Sequence, residues 1–299
     1  MKRVVKLIAL GEALDFLTLQ VDEDMVAGFE AVHVGSGTQG ASKCHVSPHE
    51  FIQAVAVSSK NRFGIGKPSD PVQFCFWLLD ALHRDLGGTE IPNSSIVFQC
   101  FQGELEETTV IPARAHKPEV RHIPFLRLRL DLPPPPLFKD PIQGKIIPRV
   151  PLATLLRKFD GETVTDCLRP QPAQKRYRVT RLPRYLLLHM GRFATKKFEY
   201  CKRIFAEKNP TLVNFPVKNL ELRDHIPLPD RHSGSKYDLV ATVVHDGTAM
   251  SGSYRALVHS KCEGAWYQIQ DLCVESILPQ LVALSEPYMQ IYEQQPVPS

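Results

Sequence analysis

The sequence lacks closely paired cysteines and long apolar runs, and each absence argues against a class of protein. Its 7 cysteines are an odd number and include no Cys-x-x-Cys pair. Since structural zinc sites use closely spaced cysteine and histidine ligands, we expect no metal and no cofactor. No apolar run is long enough to span a bilayer, and the segment after Met1 lacks the features of a secretory signal. We therefore expect an intracellular protein with free thiols at Cys44, Cys75, Cys100, Cys167, Cys201, Cys262 and Cys273.

The composition is that of a chain able to form a large folded core. The 299 residues are 43% hydrophobic, which argues against global disorder. The formal net charge of +4 allows contact with acidic partners or RNA without requiring it. We expect a single domain over residues 1–299, with helices in residues 1–90 and mainly strands in residues 91–299.

Two segments carry the start and stop signals of helices. The segment "SPHEFIQAVAVSS" begins with Ser47 as a cap, and Glu50 lies where a capping box places an acidic residue. The segment "DPVQFCFWLLDALHRDLGG" begins with Asp70 as the N-cap and ends at Gly87. We also expect a helix from Arg3 to Leu19, from its apolar periodicity, and a short helix in "VPLATLLRKF".

After Gly88 the sequence consists mainly of short β-forming segments separated by turns. We expect strands in "SSIVFQCFQGEL" and "FLRLRLDLP", followed by a stiff connector at Pro133 to Pro136. Further strands are expected in "YRVTRLPRYLLLHMGRF", "TLVNFPV", "YDLVATVVH", "SYRALVHS", "AWYQIQD" and "YMQIYE". Helices followed by strands predict an α+β fold, with the helices packed on a largely antiparallel sheet.

Four motifs, in order between Asp70 and Asp271, resemble the ubiquitin-specific protease family. They are the helix "DPVQFCFWLLDALH", the strand "LPRYLLLHMGRF", the hairpin "YDLVATVVHDG" followed by Gly-x-Tyr, and the strand "WYQIQD". The resemblance covers nearly the whole chain. It implies a papain-like fold with a helical thumb, a palm sheet and a finger-like extension of strands.

Other segments resemble a degenerate branch of that family, the snRNP assembly-defective proteins, which are associated with the spliceosomal tri-snRNP. These segments are "CHVSPHEFIQAV", "IIPRVPLATLLRKFDG", "EKNPTLVNFPV", "VHDGTAMSGSYR" and "ILPQLVALSEPYMQIY". This resemblance implies a nuclear location and tri-snRNP proteins as partners.

The family's nucleophile has no counterpart in the sequence. The resemblance places a catalytic cysteine in a Gly-x-x-Asn-x-Gly-Asn-x-Cys-Tyr box upstream of Asp70, and we expect the chain to begin after that box. Cys44 lies upstream of Asp70, but its context "SKCHVSP" is not the box. Cys75 falls on the apolar helix, where a buried and inert thiol is expected.

The resemblance also assigns the positions of the base and of the residue that orients it. Ser253 stands where the family has its histidine, and Gln270 stands first in the pair that orients it, followed by Asp271. Serine cannot act as a base near neutral pH. Because side chains alternate faces along a strand, we expect neither His245 nor His259 to project into this site. The expected protein is therefore not an enzyme and has no catalytic residues.

The family's metal-binding finger is also missing from the sequence. Active relatives place a Cys-x-x-Cys pair where this chain has "TTVIPARAHKPEVRHIP". We expect the finger strands to be held by strand pairing and packing, without zinc.

A basic stretch from Lys175 to Lys208 contains eleven lysines and arginines against two acidic residues, with six aromatic residues interleaved. A hairpin carrying this stretch would suit RNA phosphates or an acidic protein. The alternative is a solvated strand pair whose aromatic residues lie in the core. The candidate partner-binding residues are Lys196, Lys197, Lys202 and Arg203.

The sequence leaves three functions open. The first is an inactive protease fold that acts as a protein-interaction scaffold in pre-mRNA splicing. The second is an active deubiquitinating cysteine hydrolase with a displaced nucleophile. The third is a module that binds ubiquitin or a ubiquitin-like protein without turnover. The missing box together with Ser253 and Gln270 favours the first.

Overall fold

The computed structural model describes residues 49–64, 66–110, 118–134, 147–167, 173–197, 204–228, 234–270 and 273–296. The predicted helix from Arg3 to Leu19 lies outside these residues, as do Cys44, Lys202, Arg203 and Asp271. The helices are α1 His49–Ser58, α2 Pro71–Asp85, α3 Ile96–Phe101, α4 Leu152–Leu156 and α5 Pro279–Ala283. No helix in these ranges is long and apolar enough to cross a bilayer.

Helix α2 begins and ends close to where the sequence predicts. The Asp70 carboxylate accepts hydrogen bonds from the backbone N–H groups of Val72 at 2.7 Å and Gln73 at 3.1 Å. These bonds satisfy two of the donors that a helix leaves free at its N-terminus. At the other end Gly87 adopts a φ of +73°, a left-handed conformation that favours glycine and stops the helix.

Helix α3 corrects the predicted strand in "SSIVFQCFQGEL". Ser95 caps this helix by accepting a hydrogen bond from the Phe98 N–H at 3.3 Å, and the strand begins only at Gly103. The buried residues Val97, Cys100 and Phe101 follow helical spacing. A short apolar run fits a strand or a helix equally well, so the cap at Ser95 was the informative signal.

Sixteen strands are found in the described ranges. They are β1 Gly103–Val110, β2 Glu119–Phe125, β3 Leu128–Leu130, β4 Arg149–Pro151, β5 Thr165–Cys167, β6 Ala173–Arg181, β7 Tyr185–Met190, β8 Phe193–Lys197, β9 Ile204–Lys208, β10 Leu212–Asn214, β11 Leu220–Glu221, β12 Lys236–Gly247, β13 Gly252–Ser260, β14 Ala265–Gln270, β15 Cys273–Ile277 and β16 Pro287–Gln294.

The strands form one large sheet and three smaller ones. The large sheet has the order β15-β14-β13-β12-β16-β7-β3, with β11 paired to β12. All its pairs are antiparallel except β3 with β7. A four-stranded sheet, called the finger sheet below, has the order β2-β1-β6-β5. The strands β4 with β10 and β8 with β9 form separate pairs. The predicted α+β fold with a largely antiparallel sheet is confirmed.

Two apolar clusters pack on opposite faces of the large sheet. Ala256 belongs to the cluster that includes α1, α2 and α3, whereas its neighbour Leu257 belongs to the cluster that includes α4 and Trp266. This division follows from the two-residue period of a strand. Apolar residues of the β12–β13 hairpin therefore contribute to the clusters on both faces.

A buried guanidinium ties three segments together beside this hairpin. Arg192, in the turn between β7 and β8, is only 1% exposed. It donates hydrogen bonds to the backbone carbonyls of Pro287 at 2.6 Å, Asn209 at 3.0 Å and Thr211 at 2.8 Å. Burial lowers the pKa of Arg192 to about 10, and the nearby Glu286 opposes this shift.

The finger sheet contains a nearly buried ion pair between neighbouring strands. The ammonium of Lys175 on β6 contacts both carboxylate oxygens of Glu107 on β1, at 2.9 and 3.0 Å. Glu107 is buried, and Thr109 also donates to it. This pair lies on the same face of the finger sheet as the buried Leu105 and Val179, which belong to the second apolar cluster.

We expect Glu107→Ala to lower the free energy of unfolding by about 1–3 kcal/mol, since it leaves the Lys175 ammonium without its acceptor. The matched control is Glu119→Ala, which removes an exposed ion pair with Arg121 in the same sheet and should cost less than about 1 kcal/mol. Urea unfolding followed by circular dichroism measures both. Equal losses for the two variants would contradict a stabilising role of the buried pair.

Candidate functional site

The β12–β13 hairpin carries Ser253, the position that the resemblance assigns to the family's histidine. Cα register pairs Asp246 with Ser253 and His245 with Tyr254. A Cβ on Gly252 would lie 2.2 Å from the Asp246 carbonyl oxygen and 2.5 Å from His245 Nε2. The strands therefore approach each other too closely for any other residue at Gly252 without local movement.

The two residues assigned to the base and orienting positions do meet in space. Gln270 on β14 donates from its amide nitrogen to Ser253 Oγ at 3.5 Å, at the upper limit for a hydrogen bond. A hydroxyl and an amide can hold a polar group, but neither accepts a proton near neutral pH. The predicted positions are thus brought together, with side chains that cannot perform base catalysis.

An arginine occupies the same face of the hairpin. Arg255 lies 3.2 Å from the Asp246 carboxylate through Nε, and it donates from Nη1 to Gln268 Oε1 at 3.3 Å. Because Asp246 pairs with Ser253 across the hairpin, the Asp246 carboxylate beside the triad positions is engaged by a cation.

His245 lies on the same hairpin as Ser253 but packs away from it. It lies on the opposite face from Ser253, as predicted, and is buried with its ring 5.0 Å from Phe193 and 4.8 Å from Tyr254. Burial, and next the charge of Lys208, lower its pKa. His245 is therefore a neutral packing residue at neutral pH.

The prediction for His259 holds for a different reason from the one expected. His259 is an even number of residues from Ser253, so strand alternation puts both on one face. Strand alternation therefore does not keep His259 off the face that carries Ser253, contrary to the expectation. Six residues of strand nevertheless separate the two positions by about 20 Å. The ring of His259 contacts Trp266 at 5.2 Å, and burial lowers its pKa.

The free energy of unfolding should decrease in acid because His189 is half-buried and neutral in the folded chain. Burial and Arg127 lower the pKa of His189 from 6.5 to about 4. Between these two pH values the unfolded chain binds more protons than the folded chain, so stability decreases as pH falls. We expect this group to remove about 1–2 kcal/mol between pH 7 and pH 5, because its partial exposure weakens the effect.

Urea unfolding at pH 7, 6 and 5 tests this expectation for His189→Gln against the unchanged chain. The variant should lose less stability in acid. An unchanged slope in His189→Gln would contradict the assignment.

The described cysteines offer one candidate that sequence reasoning did not identify. Cys75 is fully buried on α2, and burial raises its pKa to about 12 despite the opposing charge of Arg127. Cys100 is also buried, and burial raises its pKa. Cys273 is exposed and lies opposite Gln270 in the β14–β15 register. The sequence did contain a signal for this contact. "CVESI" follows "AWYQIQD" closely enough to form a hairpin, and that hairpin places Cys273 opposite Gln270.

The N-terminus of α2 is joined to the large sheet by a side-chain hydrogen bond. The Tyr288 hydroxyl on β16 donates to Asp70 Oδ2 at 2.5 Å, while Asp70 Oδ1 caps the helix. Burial, and then the bond to Asp70, raise the pKa of Tyr288. Arg127 stacks on the Phe76 ring at 4.6 Å beside this junction. One carboxylate thus fixes both the start of α2 and its attachment to the sheet.

The prediction of a single basic hairpin from Lys175 to Lys208 is wrong. The stretch is divided among the finger sheet, the large sheet and the β8–β9 pair, because Leu182 and Pro183 end β6 before β7 begins. Several charges bind internal groups: Lys175 binds Glu107, Arg192 is buried, and Lys208 donates to the His245 carbonyl at 2.7 Å.

Two of the four candidate partner-binding residues lie on the β8–β9 pair. Lys196 and Lys197 are on β8, opposite Phe205 and Ile204 of β9, and their side chains are not among those described. Lys202 and Arg203 lie outside the described residues. In the described ranges no three histidine, cysteine or acidic side chains come close enough to hold a metal ion.

Comparisons with known proteins agree with this geometry. Residues 15–292 match the family described as ubiquitin carboxyl-terminal hydrolase. The human protein named ubiquitin carboxyl-terminal hydrolase 39 is 42% identical over 269 residues, covering 84% of this chain and 46% of that protein. The probable mRNA-splicing protein ubp10 of Schizosaccharomyces pombe is 33% identical over 276 residues, covering 85% of this chain and 53% of that protein.

Solved structures show the same fold. A chain of the Ubp8-Sgf11-Sgf73-Sus1 SAGA DUB module aligns with a TM-score of 0.62 at 23% identity, covering 84% of this chain and 53% of that one. An essential yeast splicing factor aligns with a TM-score of 0.57 at 25% identity, covering 85% of this chain and 55% of that one. This chain spans about half the length of the relatives it matches. The predicted papain-like ubiquitin-specific protease fold is confirmed, and the chain belongs to the ubiquitin carboxyl-terminal hydrolase family.

Proposed function

We propose that this chain is a member of its family that does not hydrolyse ubiquitin conjugates and acts as a protein-interaction scaffold in pre-mRNA splicing. The observation that carries the proposal is the contact of Gln270 with Ser253 at the positions of the orienting residue and the base. A positioned general base contributes about 10²- to 10⁴-fold to a rate, and Ser253 supplies none of it.

The thiols of the described residues also support this proposal. A cysteine hydrolase needs a thiolate that reaches the substrate and a histidine that takes its proton. Cys75 is fully buried with a pKa of about 12. Cys273 is exposed beside Gln270, but the nearest hairpin histidine, His245, packs on the opposite face of the sheet.

A fluorogenic ubiquitin substrate tests the absence of hydrolysis. We expect no release of the fluorophore above the rate in buffer, with an active member of the family as the positive control. Cys44→Ala and Cys273→Ala are assayed beside the unchanged chain. Turnover that either substitution abolishes would overturn the proposal and identify the displaced nucleophile.

The splicing role draws on the relatives. One is named as a probable mRNA-splicing protein, and one solved structure of similar fold is an essential yeast splicing factor. We extend this role to the present chain, with the nucleus as its location and proteins of the tri-snRNP as its partners.

Affinity purification of the tagged chain from nuclear extract tests this role, with proteins and small RNAs both identified. We expect tri-snRNP proteins together with their small nuclear RNAs. Recovery of ubiquitinated proteins without small nuclear RNAs would contradict a splicing scaffold. A variant with glutamate in place of Lys196, Lys197, Lys202 and Arg203 tests whether the β8–β9 pair contacts RNA or an acidic protein. If it does, the charge reversal should reduce the recovery of that partner.

Ubiquitin binding without turnover is the second candidate. It is favoured by the retained junction between α2 and the large sheet through Asp70 and Tyr288, because a binding surface formed by both parts does not depend on the triad. An NMR titration with labelled ubiquitin decides it. Signals that stay unshifted at high concentration of the chain would remove this candidate.

A further inference from the structure

Strand β15 forms an exposed edge of the large sheet. It pairs with β14, and within the ranges that the structure covers no strand pairs with its outer side. Its first four residues are exposed, and only Ile277, which packs against the second apolar cluster, is half-buried. Val274 is 56% exposed. A strand of this kind offers unpaired backbone N–H and C=O groups to a partner strand.

Two other edge strands are better protected than β15. β3, at the opposite edge of the large sheet, places Leu128 and Leu130 fully in the core. β2, at the edge of the finger sheet, contains Pro124, which lacks a backbone N–H donor. β15 contains no proline and a single charge, Glu275. It is therefore less protected against strand addition than β3 and β2.

Apolar side chains continue from this edge onto α5. Leu278, Leu281 and Leu284, called the leucine stripe, are 65%, 51% and 67% exposed. Val282 of the same helix is buried in the second apolar cluster and fixes α5 to the sheet. The leucine stripe follows directly after the free strand edge in the chain, and groups of exposed apolar residues of this kind mark interaction sites.

The charge on β15 distinguishes between possible occupants. Glu275 alternates with Val274 and so shares a face with Ile277, next to α5. Glu275 forms no ion pair with the described residues. A second copy added antiparallel about the centre of β15 would place two Glu275 carboxylates opposite each other, which is unfavourable. A segment with a lysine or arginine at that position is complementary.

We propose that β15 and the leucine stripe bind an extended segment of a partner protein. The segment adds to the sheet as a strand, places a basic side chain opposite Glu275, and packs apolar side chains on the leucine stripe. This inference deepens the scaffold role proposed above by naming the surface and the chemistry of the partner. Peptide binding is measured separately from ubiquitin cleavage and from recovery of snRNPs, so each proposal can fail alone.

Fluorescence polarisation with two synthetic nine-residue peptides of alternating threonine and valine tests the proposal. One peptide has a central lysine and the other a central glutamate. The lysine peptide should bind about three- to ten-fold more tightly, as expected for opposite rather than like charges across a strand pair. In Glu275→Lys the preference should reverse. Equal affinity of both peptides, or no binding of either, would overturn the proposal.

Leu281→Asp tests the contribution of the leucine stripe. It should weaken binding of the lysine peptide, whereas Val57→Asp, an exposed apolar position on α1, should leave binding unchanged. Backbone hydrogen exchange should slow in β15 when the lysine peptide binds. Slow exchange throughout β15 in the free chain, or a dimer in sedimentation equilibrium, would show that the edge is already occupied and would contradict a partner segment.

Discussion

Arg192→Ala is expected to lower the free energy of unfolding by about 3–5 kcal/mol, the largest loss for any single substitution considered for this chain. The side chain is 1% exposed and donates to three backbone carbonyls, those of Pro287, Asn209 and Thr211. Removing it leaves three acceptors without this donor inside the protein, each with its own cost of burial.

The position of Arg192 explains why the loss should be large. The guanidinium joins the start of β16 to the segment between β9 and β10, and its own backbone lies in the turn from β7 to β8. One of them, at Pro287, pairs with Val244 on the hairpin that carries Ser253. A planar group with five donors can reach carbonyls in several directions, which the ammonium of lysine cannot do from one point.

Urea unfolding followed by circular dichroism compares three variants. Arg192→Lys should lose most of the stability that Arg192→Ala loses, and it provides a measurable value if the alanine variant does not fold. Arg176→Ala, an exposed arginine on β6, should change the free energy of unfolding by less than about 0.5 kcal/mol. A midpoint for Arg192→Ala equal to that of Arg176→Ala would show that the buried guanidinium is not essential for stability.

The local signals in the sequence predicted α2 well and α3 badly. Asp70, Pro71 and Gly87 define both ends of α2 without help from the rest of the chain. In "SSIVFQCFQGEL" the apolar run is too short for its period to be read. Ser95 marks the start of α3. The hydrogen bond between Ser95 Oγ and His83 Nδ1, at 2.7 Å, is a tertiary contact that no local pattern contains.

The sequence predicted those residues of the candidate site that the family motifs assign, and it did not predict the residues that strand pairing brings beside them. The resemblance placed Ser253 and Gln270 in one site, and the structure brings them into contact. It did not indicate Cys273, whose nearness to Gln270 depends on the pairing of β14 with β15. Charge counting along the chain failed for the basic stretch, because partners such as Glu107 are distant in sequence from Lys175.

Asp70→Ala is the second substitution expected to have a large effect, with a loss of about 2–4 kcal/mol. Removing an N-cap of this kind costs about 1 kcal/mol. The same change leaves the Tyr288 hydroxyl without its acceptor at the junction, which adds about 1–3 kcal/mol. Asp70→Asn keeps an oxygen that can cap α2, so its loss should be smaller.

A double-mutant cycle between Asp70→Ala and Tyr288→Phe separates the two roles of the carboxylate. The loss from the double variant should fall short of the sum of the single losses by about 1 kcal/mol, because only the first removal breaks the shared hydrogen bond. Strictly additive losses would mean that Asp70 stabilises the chain through the α2 cap alone. A measured coupling instead identifies Asp70 as a residue that attaches α2 to the large sheet, at a place in the fold that does not involve Ser253 or Gln270.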